Sequence, residues 1–263
     1  MGRVLPNLTS AAAAETGSVE AQSEQGFGDM SAGTFRVRVG LLTIGGAPRP
    51  DNLSLEVGGI LGAGVDVVER GALDGLDLAH VDALGVASSE SFPLATQMSD
   101  GRPVVVDEAA ITPLLNEQIR RLEGRDCVEA TLLMCTAPFP QLAHGRPLLQ
   151  PHAALFRAAA GIAGDHPLSS LTPLEGQLEH SRRNWLRAGV TDVRLLVADP
   201  YGADPLGAVA TAARAARIHG SKFLYMDCFG YDLAMKDAAR RAFQGPVLLA
   251  RSLAARLFSE IVA

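Results

Sequence analysis

The chain has 263 residues, 48% of them hydrophobic and 20% charged, with a formal net charge of −6 at pH 7. A chain of this size and balance is expected to be a soluble globular protein with one large or two small α/β domains; its acidity excludes nucleic acid and anionic membranes as expected partners. No apolar run reaches the roughly 18 residues that a bilayer span requires, and no basic stretch leads into an apolar one as in a secretory leader, so the expected compartment is the cytoplasm.

Residues 1–34 are small and polar without apolar periodicity, which predicts a disordered tail; Met30, just ahead of the first strand, is an alternative start to Met1. "FRVRVGLLTIGG" alternates and then becomes continuously apolar, as a strand entering a buried parallel sheet does. It breaks at Gly45-Gly46 and Pro48, and "GVDVVERG" over 64–71 is the next strand. "DLAHVDAL" over 77–84 predicts a short helix, and the two arms around Asp100-Gly101 predict a β-hairpin outside the main sheet. Residues 112–123 read as a helix capped by Thr112 with Pro113 in its first position.

"CVEATLLMC" is a buried strand ending at Cys135, followed by a helix over 152–163 and a short strand, "PLSSLTP". Residues 174–187 predict an amphipathic helix with Leu174, Leu178, Trp185 and Leu186 on its apolar face. Strand "DVRLLVADP" precedes a helix capped by Asp204, with Pro205 at its first position and Gly220 as its stop. "KFLYMDC", "DLAMKDAARRAF", "GPVLLA" and "RSLAARLFSEIV" complete the alternation as strand, helix, strand and helix. Alternation of this kind means parallel sheets with crossover helices, and the break in period at 140–166 marks passage into a second α/β lobe. The expected division is a tail over 1–34, a first lobe over 35–155 and a second over 156–250, with helix 251–263 packing back on the first.

Ligands of open α/β sheets bind beyond the carboxyl ends of the strands. Here those ends carry Thr43, Cys135-Thr136, Thr172-Pro173 and Asp227-Cys228. Two facing thiols suit inversion of a carbon acid without a cofactor: one thiolate removes a proton and the opposite thiol returns one to the other face. An ordinary thiol is only a few per cent ionised at pH 7, so the site is expected to lower that pKa, with backbone N–H groups such as those of a helix capped by Asp232 as the means. A single strand-end cysteine more often merely fills space; two in matching contexts favour function. Cys127 precedes its strand and is expected to be structural and buried, so that Cys127→Ser lowers stability without touching activity. Asp227 either orients Cys228 or caps local amides, and Tyr231 either closes a pocket or packs. The three cysteines form no C-x-x-C pair and the six histidines no metal-binding spacing, so neither a metal nor a cofactor is expected.

"LLTIGGAPRPD", "VVERGALDGL", "TQMSDGRPVVV", "LLMCTAPFP" and "YMDCFGYD" together resemble the AroM family, over nearly everything after residue 35. AroM-like proteins are in turn similar to the Asp/Glu racemase superfamily. That resemblance implies an α/β fold of two pseudo-symmetric lobes, with parallel sheets flanked by helices, one cysteine from each lobe and the active-site cleft between them. It implies Cys135 and Cys228 as the catalytic pair, and Thr43, Thr136, Ala137, Thr172, Gly230 and Tyr231 as substrate-binding residues. The chain departs from the racemase pattern where Thr136 follows Cys135 without an intervening Asn, and where Phe229-Gly230-Tyr231 stands in place of the Thr after the second cysteine. Those departures put an ordinary Asp or Glu substrate in doubt. The leading expectation is a cofactor-independent racemase or isomerase acting on a small carboxylate or related carbon acid, with homo-oligomers an open possibility. A decarboxylase or C–C lyase with one catalytic cysteine, and a non-catalytic ligand-binding or regulatory protein, remain as alternatives.

Overall fold

The computed structural model describes residues 36–85 and 92–262; the expectations for the tail and for a start at Met30 lie outside them. In chain order the elements are β1 (Val37–Thr43), α1 (Leu53–Leu61), β2 (Val65–Gly71), α2 (Leu78–Asp82), β3 (Pro93–Gln97), β4 (Pro103–Asp107), α3 (Glu108–Gly124), β5 (Ala130–Met134) and β6 (Leu148–Leu149). Then follow α4 (His152–Ala163), β7 (Leu168–Thr172), α5 (Leu178–Arg187), β8 (Val193–Val197), α6 (Pro205–Ile218), β9 (Phe223–Met226), α7 (Leu233–Phe243), β10 (Val247–Leu249) and α8 (Ala250–Val262).

The strands form two four-stranded parallel sheets, ordered β2-β1-β5-β6 and β10-β9-β7-β8, and the hairpin β3-β4. The two orders are the same topology: β1 and β7 begin in the interior, β2 and β8 pair on one side, and β5 and β9 return to the other. Each sheet therefore has its switch point where the chain reverses direction across the sheet, between β1 and β5 and between β7 and β9. Strand carboxyl ends at such points leave a crevice for a ligand.

Strand periodicity distributes the apolar side chains over three packed layers. From β1 and β5, Val39, Leu41, Leu132 and Met134 face a central cluster with α1, α4 and α8, while Leu42 and Leu133 face α3 on the other side. From the second sheet Tyr225 joins the central cluster, and Leu171, Leu224 and Met226 face α6 and α7. Residues of both sheets share the central cluster, where Phe156, Trp185 and Tyr225 pack edge-on or tilted to one another. Helix α8 lies against α1, α4, β5 and β10.

Several elements differ from the sequence expectation. Helix α1 was not expected, since it carries Gly58-Gly59 and its N-cap, Asn52, makes no side-chain cap bond. Burial of Leu53, Val57 and Leu61 against the central cluster supplies what local propensity lacks. Helix α3 begins at Glu108 rather than beyond Thr112, because Asp107 caps it by accepting from Ala109 N and Ala110 N. Pro113 thus sits inside the helix, and the Thr112 hydroxyl donates to the Glu108 carbonyl (2.9 Å). Helix α5 starts at Leu178 after a 3-10 turn at Glu175–Gln177 and buries Ser181, Asn184 and Trp185, leaving Leu186 51% exposed. Polar groups on the inner face of a helix signal that something other than core lies against them.

Candidate active site

The loop after β1 is squeezed into place. A Cβ on Gly71 would stand 2.3 Å from the Gly45 carbonyl, and one on Gly45 would stand 2.3 Å from the Gln97 carbonyl, so the loop runs tightly between the end of β2 and the hairpin. Gly46 N donates to Gln97 O (3.0 Å) and Leu73 N to Gly45 O (3.1 Å), which hold it there. This loop delivers Arg49 to a cavity reached by both sheets and by the hairpin. The first sheet contributes Cys135, Thr136 and Ala137, and the second Thr172, Asp227 and Cys228.

The two cysteines are topological equivalents: one follows β5 and the other β9. Each sulfur accepts a hydrogen bond from the amide two residues on, Cys135 Sγ from Ala137 N (3.4 Å) and Cys228 Sγ from Gly230 N (3.2 Å). The strand ends also touch across the cavity, where the Thr136 hydroxyl donates to the Asp227 carbonyl at 3.4 Å. His152 Nδ1–H donates to the Thr136 carbonyl (2.6 Å), so the residue after Cys135 is held from both sides.

The expected depression of the thiol pKa is not what the structure contains. Burial pushes Cys135 up to about 12, with Cys228 and Asp227 adding to the effect and the Ala137 amide opposing it. Burial likewise pushes Cys228 up to about 11; the Gly230 amide, Arg49 and Arg251 favour its thiolate and Asp227 disfavours it. The one or two backbone amides at each sulfur do not offset loss of water, and both thiols are protonated at neutral pH. Asp227 is itself shifted: burial raises its carboxyl to about 7, while the hydroxyls of Thr136 and Tyr225 favour the anion without closing a bond to Oδ1, which has no partner.

Of the other expected site residues, Thr172 lines the cavity and donates from its hydroxyl to Gln177 Oε1 (2.8 Å). Gln177 Nε2 in turn donates to the Pro93 carbonyl (2.8 Å), tying the second sheet to the hairpin. Thr43, Gly230 and Tyr231 do not line the cavity. The Thr43 hydroxyl accepts from Gly45 N (3.3 Å) and serves the turn. Tyr231 is fully buried with its hydroxyl donating to the Ala198 carbonyl (2.6 Å), so it packs rather than binds. Gly230 lies under Tyr201, whose hydroxyl would stand 2.4 Å from a Cβ there. Asp232 caps α7 by accepting from Met235 N (2.7 Å). Cys127 is exposed, in a left-handed conformation with φ 53°, so the expectation of burial fails: its strand begins three residues later, and the cysteine sits in the turn before it.

Sequence reasoning missed a buried ionic network. Arg49 donates from Nε and Nη2 to the two oxygens of Asp51 (3.2 and 2.9 Å), from Nη2 also to the Tyr201 hydroxyl (3.1 Å) and from Nη1 to Thr96 Oγ1 (3.0 Å). Arg251, 1% exposed, donates to Asp51 Oδ2 and Glu56 Oε2 (both 2.8 Å) and twice to the Phe229 carbonyl (3.0 and 2.6 Å). The network therefore anchors the residue after Cys228 to the loop after β1. An arginine between prolines straight after a strand end, as in "APRPD", was the available signal. His180 also lines the cavity; burial, then His152, Arg183 and Arg187, lower it to about 4, and it is neutral. Among the described residues no group of three or more His, Cys, Asp or Glu is placed to hold a metal ion, and no helix is long and apolar enough to cross a membrane.

The model of the AroM family, described as AroM protein, matches residues 39–262. No curated protein matches the chain. Among solved structures, allantoin racemase from Pseudomonas fluorescens is 16% identical, with a TM-score of 0.55 over 86% of this chain and 90% of that one. Glutamate racemase from Aquifex pyrophilus is 13% identical, with a TM-score of 0.55 over 86% and 84%. Arylmalonate decarboxylase is 13% identical, with a TM-score of 0.51 over 86% and 91%. At these identities the likeness is one of fold: two parallel sheets flanked by helices, as in the Asp/Glu racemase superfamily.

Proposed function

Since the chain belongs to the AroM family, we propose that it is a cofactor-independent racemase or isomerase in which Cys135 and Cys228 work on opposite faces of a small carbon acid. The observation that carries this reading is the equivalence of the two cysteines, one after each of two topologically matching strands, both lining one cavity. In this reading the lobes are 35–155, closed by helix 251–263, and 156–250, and the protein acts in the cytoplasm.

The chemistry balances without a co-reactant. Once one thiol has given its proton to water, its thiolate takes the proton from carbon and becomes a thiol, the C–H electron pair is held as an enolate by the adjacent carbonyl, and the opposite thiol gives its proton to the other face and is left as the thiolate for the reverse turnover. Arg49 and Arg251 favour the Cys228 thiolate, so the network behind Cys228 supports its service as the base for one enantiomer. Thr136, Ala137 and Thr172 would contact the ligand from the strand ends.

The test is deuterium incorporation from D₂O into both enantiomers of a substrate, with wild type, Cys135→Ser and Cys228→Ser. Each variant is expected to lose inversion at least a hundredfold while keeping exchange at one face, one variant for each enantiomer. Inversion at the wild-type rate by either variant overturns the two-thiol reading in favour of a one-cysteine decarboxylase or lyase. Absence of inversion and exchange in wild type itself would leave a site that only binds.

A further inference from the structure

A groove between α4 and α5 adjoins the cavity without being part of it. Helical spacing brings His152, Phe156 and Arg157 of α4 to its one side and Asn184 and Arg187 of α5 to the other. Asn184, 4% exposed, lines both the groove and the cavity. His152 lines the groove while its Nδ1–H donates to the Thr136 carbonyl (2.6 Å), beside Cys135.

The cations of this groove are uncompensated. Among the described residues, Arg157 and Arg187 enter no ion pair, although the chain as a whole carries a formal net charge of −6. Arg49 and Arg251 differ in this respect, since Asp51 and Glu56 balance them. The positive field reaches the neighbouring imidazoles. Burial lowers the pKa of both His152 and His180, and Arg187 lowers both further. The Thr136 carbonyl and Asn184 pull the other way at His152, favouring its charged form. Helix α4 also starts here, and its N-cap, Pro151, makes no side-chain cap bond, so the positive end of a 12-residue helix adds to the two guanidiniums.

Two guanidiniums from two helices match an ion with two negative charges and several oxygens. Arginine binds phosphate through paired N–H groups, whereas a monocarboxylate would neutralise only one of the two. Phosphate and its monoesters share this chemistry, and Phe156, at the apolar floor of the groove, would meet only an ester.

We propose that the groove between α4 and α5 is a second binding site, for a small phosphate-type dianion, held by Arg157 and Arg187 and sensed by His152. The site is separate from the cavity of the two cysteines, and it stands or falls independently of the proton-transfer reading. A dianion seated there stabilises the imidazolium of the same side chain that holds the Thr136 carbonyl, so occupancy reaches the cavity wall through a shared group.

The experiment titrates the full chain by calorimetry with inorganic phosphate, phenyl phosphate and acetate, at pH 8 and at an ionic strength held constant with sodium chloride. Saturable phosphate binding is expected with a Kd of about 1 mM or below, and acetate should bind at least about tenfold more weakly. Arg157→Gln and Arg187→Gln should each weaken phosphate binding at least about fivefold. Both side chains are exposed, so the variants should melt as wild type does. Tighter binding of phenyl phosphate than of phosphate assigns an ester; equal or weaker binding assigns the free ion. Nuclear magnetic resonance should show the His152 titration, identified by its loss in His152→Gln, moving to higher pH in saturating phosphate. Absence of saturable phosphate binding overturns the proposal. So does affinity within about twofold of wild type in both arginine variants, or an unmoved His152, since either places the ion elsewhere. Acetate binding as tightly as phosphate overturns the ligand class.

Discussion

Replacing Arg251 with methionine tests whether the buried network holds the Cys228 loop. Methionine keeps most of the apolar stem within the central cluster but removes five bonds, to Phe229 O (twice), Asp51 O, Asp51 Oδ2 and Glu56 Oε2. Asp51 keeps Arg49, so the groups left stranded are the Glu56 carboxylate and the Phe229 carbonyl. Breaking a buried pair by removing one partner typically costs about 3–5 kcal/mol. Because Asp51 and Glu56 side chains are each 16% exposed and recover some water, the lower end applies, about 3 kcal/mol. For a unit of this size about 2–4 °C accompanies each kcal/mol, so the melting temperature should fall by roughly 6–12 °C. Urea unfolding of wild type, Arg251→Met and Arg251→Lys measures it, with the lysine variant recovering only part, since an ammonium's single nitrogen cannot reach the four acceptor atoms that the guanidinium fork reaches. Glu56→Gln should be less damaging when combined with Arg251→Met than in wild type, because it removes a charge already stranded. The Cys228 thiolate also loses a favourable charge, so the rising limb of activity should move to higher pH. A loss under about 1 kcal/mol with an unchanged pH profile would refute the network as an anchor of Cys228.

Asp227 should destabilise the fold as pH rises. Its folded value of about 7 lies above the ordinary carboxyl value of 3.8, so below about 4 both states are protonated and the group contributes nothing. Between those values the unfolded chain ionises first and stability falls, levelling off above about 7. Asp227→Asn removes that slope, and its advantage over wild type, measured by urea unfolding at pH 4 and pH 8, should grow by on the order of 3 kcal/mol. Cys127 is exposed, so Cys127→Ser should change stability by less than about 0.5 kcal/mol. In wild type at pH 7, peptide mapping after iodoacetamide should find Cys127 labelled first and buried Cys135 last.

The sequence by itself determined the alternation of strand and helix, because apolar runs bounded by turn residues and caps such as Asp204 and Asp232 are local signals. It also marked Cys135 and Cys228 as equivalent, since both end apolar strands and strand ends bear the chemistry of such sheets. Where local and tertiary terms disagreed, the tertiary ones prevailed. Helix α1 forms despite two glycines because its three buried residues meet the central cluster, and α5 turns polar groups inward because a cavity lies there. The state of the thiols was decided in three dimensions as well. Desolvation comes from every layer packed around a sulfur, while the local turn provides only one or two backbone amides. The same holds for Arg49 and Arg251, about two hundred residues apart, which meet at Asp51 only because α8 returns to pack against α1. Charge compensation between such distant segments has no periodic trace in a chain; it exists only once the fold brings them together.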